Sequence, residues 1–127
     1  MSPDVVVSLN YPAQNPNNLK QFETITTEAG KVVVLDFTTF DIEAHQNCNY
    51  NYLTIMDYDG TILLDGACGN TLPASITSRT NKVHLIFVTD HSVTKNGWEI
   101  NVSSASTTNL ASTITPCEKK QIAGLEN

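Results

Sequence analysis

Short runs rich in β-branched residues recur along the chain between turn signals. "DVVVSL", "FETITTE", "KVVVLDF", "NYLTIMD", "TILLDG", "NKVHLIFV" and "GWEINVSS" are punctuated by "AGK", "YDG" and "KNG", and no stretch carries a convincing apolar repeat of helical period. This pattern predicts antiparallel strands assembled as an all-β sandwich or barrel. Period two also assigns faces: Trp98, Ile100 and Val102 point inward and Glu99, Asn101 and Ser103 outward. Val83, Leu85 and Phe87 form a second inward set, with Leu53 and Ile55 a third. His84 alternates with core residues and so reads as a surface strand position.

The pattern lapses after Ser103, where "SASTTNLASTITP" is rich in Ser and Thr and poor in aromatics. The chain therefore divides into a folded domain, 1–103, and a linker or tail, 104–127. Near the front, "NYPAQNPNN" reads as a Pro/Asn loop leading into the next strand.

Length and charge narrow the class. The 127 residues, 40% of them hydrophobic, suffice for one core and hardly for two. Thirteen acids against seven bases leave a net charge of −6, which offers no footprint for nucleic acid or an anionic membrane and suits cations or basic partners. No apolar run approaches the roughly 20 residues that span a bilayer. "MSPDVVVSLN" lacks the regions of a signal peptide, so the sequence reads as a processed chain.

Candidate chemistry is sparse. His45, His84 and His91 have no Gly-x-Ser-x-Gly elbow beside them, so no catalytic residue is assigned. Three cysteines, Cys48, Cys68 and Cys117, allow one pair with one left over. His45, Cys48 and Cys68 could begin a zinc site, but a second closely spaced ligand pair is missing. A disulfide between Cys48 and Cys68 uses the same sulfurs, and closing that loop is worth about 3 kcal/mol in the chain-entropy model. "DYDG" imitates the opening of a calcium loop, yet Cys68 stands where the loop requires Glu, so it reads as a hairpin turn. Asn101-Val102-Ser103 is a glycosylation sequon in outward phase, usable if the chain is secreted. Glu43 and Asn51 flank Cys48, and Asp90 and Ser92 follow a strand in "VTDHSVTKNG". Oxygen donors from separate loops at one end of a sandwich would suit calcium; spacing alone reads them as solvated loop residues.

The segments "NYPAQNPNN", "LDFTTFDIE", "CNYNYLTI", "CGN" and "FVTDHSVTKNGWEI", in that order over roughly residues 5 to 103, resemble the CUB domain family. The resemblance implies a sandwich of two five-stranded antiparallel sheets, a secreted, extracellular setting and a Cys48–Cys68 disulfide. It implies the calcium-binding subclass, with Glu43, Asn51, Asp90 and Ser92 holding Ca2+, Ser92 through its backbone oxygen, and Tyr11 as a hydrogen-bonding support. It also implies a non-catalytic protein-binding module that docks a Lys or Arg of a protein partner at those carboxylates. Two positions depart from the family. Asn51 is neutral where relatives carry Asp, which weakens attraction for the ion and for a basic side chain. Phe22 stands where many relatives have a cysteine.

Cys117 is left over in "TPCEKKQIAGLEN" and, in a secreted chain, points to pairing outside this segment. "QIAGLEN" is similar to the mature start of trypsin-like serine proteases, although Gln121 and Leu125 depart from that pattern. An alternative is therefore the non-catalytic N-terminal regulatory segment of a secreted protease, bridged to a protease domain through Cys117. A polar tail with a free thiol is the other reading of that end, and a calcium-independent secreted CUB protein is the third for the whole.

Overall fold

A computed structural model of the chain describes residues 5–91 and 95–106. Ser92, Cys117 and the protease-like segment lie outside the described residues.

Among the described residues, eight strands form two layers. They are β1 (Val5–Val7), β2 (Lys20–Thr26), β3 (Lys31–Asp41), β4 (Tyr52–Asp57), β5 (Ile62–Ala67), β6 (Ile76–Thr77), β7 (Lys82–Val88) and β8 (Gly97–Ser106). One sheet has the order β1-β8-β3-β6 and the other β2-β7-β4-β5, with every pairing antiparallel. Seven of these strands coincide with the β-branched runs; β6, two residues long, is too short for such a run to announce.

The core lies between the sheets. Trp98, Ile100, Val83, Leu85, Phe87, Leu53 and Ile55 are all buried there, as their phase predicts, while Asn101 and Ser103 face solvent. Phe87 meets Trp98 edge-on at 5.8 Å between ring centres, an arrangement that ring quadrupoles favour. Gln21 closes one open edge between the layers: its Oε1 accepts the Leu9 N–H at 2.9 Å and its Nε2 donates to the Val7 carbonyl at 3.1 Å.

Each sheet holds four strands among the described residues, not the five that the resemblance implies. Residues 8–19, with Pro12 and Pro16, and 70–75, with Pro73, form turns and loops. Proline has no N–H to give a ladder, so such segments pair poorly.

Two local irregularities aim the ends of the strands. β3 shifts register against β8 between Phe37 and Thr39, a bulge that restores the inward phase for Phe40 and Ile42. The β4–β5 hairpin turns at "DYDG" as predicted, with the Gly60 N–H on the Asp57 carbonyl at 2.9 Å and Gly60 at φ 93°. The Thr61 N–H donates to Asp59 at 2.9 Å, and together with Arg79 it holds that carboxyl below its ordinary pKa. Asp57 does more than turn the chain: fully buried, it accepts the Arg79 backbone N–H and, at 2.6 Å, the Thr80 hydroxyl.

Candidate metal centre

The loop between β3 and β4 is fastened at both ends. Ile42, just past β3, bridges Gly69 through two backbone bonds of 2.9 Å. Next to Gly69, Cys68 is bonded to Cys48, with a Cα–Cα separation of 5.5 Å. Cys48 sits at φ 52°, in the left-handed region, closing a turn by donating its N–H to the His45 carbonyl at 3.0 Å. The disulfide consumes both sulfurs, which removes the zinc reading because zinc binds thiolates. Glu43 therefore follows directly on a fixed point, the Ile42–Gly69 bridge.

Asn51 enters β4 with only 1% of its surface exposed. Its Oδ1 accepts the backbone N–H of Asp90 at 2.8 Å, across a sequence separation of 39. This bond ties the Glu43–Asn51 loop to the end of β7. That end is braced by the Pro/Asn segment: Asn18 donates to the Asp90 carbonyl at 2.7 Å, and the Thr89 hydroxyl donates to the Pro16 carbonyl at 2.7 Å. Thr89 Oγ1 also accepts the Leu19 N–H at 2.8 Å. Asn18 thus helps shape the centre through its backbone N–H, although the sequence marked it only as loop; a backbone bond between distant segments carries no sequence signal.

Tyr11 donates its hydroxyl to Thr39 Oγ1 at 3.0 Å, with Glu99 Oε1 as a second acceptor at 3.4 Å. It braces the strand that leads to Glu43.

One carboxylate oxygen is left over. Glu43 Oε1 is buried and has no hydrogen-bond partner. A carboxylate oxygen withdrawn from water without a donor is costly, and a cation is one partner that relieves it. Among the described residues no group of three or more His, Cys, Asp and Glu side chains could hold a metal. The resemblance assigns an ion to Glu43 and Asp90 as carboxylates, together with the neutral oxygen of Asn51; of these, the structure joins Asn51 to Asp90. A hard, oxygen-only donor set of that kind matches calcium and no softer metal.

Comparison with known proteins follows the same lines. Residues 2–102 match the profile described as CUB domain. Rattus norvegicus cubilin is 32% identical over 100 residues, which cover 79% of this chain and 3% of cubilin. The chain therefore spans a small fraction of that relative's length. The full extracellular region of zebrafish Gpr126/Adgrg6 superposes with a TM-score of 0.73 at 26% identity, covering 80% of this chain and 13% of that one. The MASP-1 CUB2 domain bound to Ca2+ superposes with a TM-score of 0.70 at 30% identity, covering 77% of this chain and 88% of that one.

Proposed function

The chain belongs to the CUB domain family, and from that premise we propose that it is an extracellular, non-catalytic protein-binding module whose docking site is organised by calcium. Glu43, Asn51 and Asp90 hold the ion through side-chain oxygens, and Ser92 adds its backbone oxygen. Bound there, calcium supplies fixed positive charge that pins the loops and leaves the carboxylates poised toward a partner's Lys or Arg. The buried, unpartnered Glu43 Oε1 is the observation that carries this reading. The Asn51–Asp90 bond supports it by joining two loops that are far apart in sequence. That MASP-1 CUB2 has been solved with Ca2+ supports the choice of ion.

The neutral Asn51 sets the strength. It spends carbonyl capacity on the Asp90 amide and brings no charge, so affinity falls at the weak end for extracellular modules, about 10⁻³ M. Asn101, exposed on β8, carries an N-linked glycan when the chain passes through a secretory pathway.

Titration calorimetry with calcium on the intact chain tests the site. Saturable heat is expected, abolished by Glu43→Gln and by Asp90→Asn. No calcium heat from the intact chain, or heat unchanged in both variants, overturns the reading.

A further inference from the structure

The two outer faces of the sandwich differ in chemistry. On the β1-β8-β3-β6 sheet the outward positions of β3 and β8 include Asp36, Asn101 and Ser103, all exposed and polar. On the other sheet, Phe22 pairs with Ile86, Met56 with His84, and Tyr52 with Val88, all on the side away from the core. Phe22 is 59% exposed, and Tyr58, in the β4–β5 turn, 62%.

These side chains form an organised strip. Phe22 stacks on His84 at 5.3 Å between ring centres and 26° between planes. Thr24 Oγ1 lies 3.0 Å from His84 Nδ1 and holds that ring in place. His84 lies 6.0 Å from Tyr58, and Lys82 Nζ sits 4.8 Å over the Tyr58 ring. Ile62, 46% exposed and opposite Met56, prolongs the apolar surface onto β5. Continuous apolar surface of this kind on a folded domain marks an interaction site.

Charge identifies the occupant. The outward positions of β2, β7 and β4 include Lys20 and Lys82 and no Asp or Glu; on β5, the sheet edge opposite β2, Asp65 lines one cavity with Tyr52 and Thr54. In a chain of net charge −6, a face with lysines at its margin and no acid among those three strands is complementary to an acidic ligand. Ile86, Val88 and Met56 lie between the two lysines, and apolar side chains to cover them are what a polypeptide has and an anionic glycan lacks.

We propose that this face docks an acidic segment of a partner protein, whose apolar side chains cover Phe22, Ile86 and Met56 while its carboxylates meet Lys20 and Lys82. The chemistry is opposite to that of the calcium loops, so the module has two recognition surfaces of contrary charge preference. A partner with a basic anchor and an acidic-apolar segment would engage both.

The test is selection of a random dodecapeptide display library on the intact chain in excess EDTA, which leaves the proposed calcium site without its ion. The counter-selection uses Phe22→Ser/Lys82→Glu, with Lys20→Glu as a second variant. Both change outward residues, and circular dichroism checks that they fold. Enriched peptides are expected to combine Asp or Glu with Leu, Phe or Trp. Synthesised, they should bind the intact chain in a salt-sensitive way and lose about tenfold or more of their affinity for each variant. Basic peptides, peptides that bind both variants undiminished, or no enrichment over the variants would overturn the proposal. So would a heparin fragment binding through the same lysines in preference to the peptides, or a dimer of the intact chain that Phe22→Ser dissolves.

Discussion

Replacing Asn51 by alanine and by aspartate separates its structural bond from its electrostatic shortfall. The side chain is 1% exposed and its Oδ1 accepts the Asp90 N–H at 2.8 Å. Alanine removes that acceptor and strands the amide, a loss of about 2 kcal/mol. With an unfolding entropy of roughly 0.2 kcal/mol/K for a domain of about 100 residues, the melting temperature should fall by about 10 °C in EDTA. Aspartate keeps the acceptor and makes the bond charge-assisted, but it adds a buried negative charge, so in EDTA it should melt between alanine and the native chain. Calcium narrows the gap between aspartate and the native chain. At roughly 5 mM calcium, a site with a dissociation constant near 10⁻³ M gains about 1 kcal/mol, and one tenfold tighter gains about 2 kcal/mol. Differential scanning calorimetry with calcium and with EDTA reads both effects. The calcium-dependent rise in melting temperature should be about twice as large in Asn51→Asp as in the native chain, and absent in Glu43→Gln. Equal calcium responses in the native and Asn51→Asp proteins would refute the charge reasoning. An Asn51→Ala protein as stable as the native one in EDTA would refute the structural role.

Three further outcomes are expected. Changing Cys48 and Cys68 together to serine should cost about 3 kcal/mol, worked from their sequence separation of 20, and urea unfolding should show the lower midpoint. Asp57→Ala should cost about 3 kcal/mol or more by losing two bonds to a buried carboxylate, whereas Asp57→Asn should cost about half that. The difference arises because the Thr80 hydroxyl can turn its proton to the Lys82 carbonyl, 3.0 Å away, and accept from the new amide while the amide oxygen still serves Arg79; equal losses in urea would contradict this. Protein secreted from eukaryotic cells should lose one N-glycan mass on peptide-N-glycosidase treatment, and Asn101→Gln should secrete without that mass; an intact Asn101 in the native protein would rule the glycan out.

Alternation made the strands and their faces readable, because side-chain direction in a strand is a local property of period two. Trp98, Ile100 and Val102 could thus be placed inward, and β-branched runs between turn signals located seven of the eight strands, without reference to any partner strand. The same locality hid β6, whose two residues complete no alternation, and the bulge between Phe37 and Thr39, which exists only as a mismatch with β8. Of the proposed centre, the sequence offered acids and amides in loops, and the resemblance supplied their roles. Folding decided that Asn51 would spend its oxygen on Asp90 and that Glu43 Oε1 would be buried without a donor. Those are facts about atoms brought together from distant parts of the chain. Likewise "DYDG" announced a turn, but nothing near it announced that Asp57 would be sealed against Arg79 and Thr80. The outward phase of Phe22, Ile86 and Met56 was present in the residues themselves. Only the order β2-β7-β4-β5 laid them side by side and made separate apolar positions into one surface.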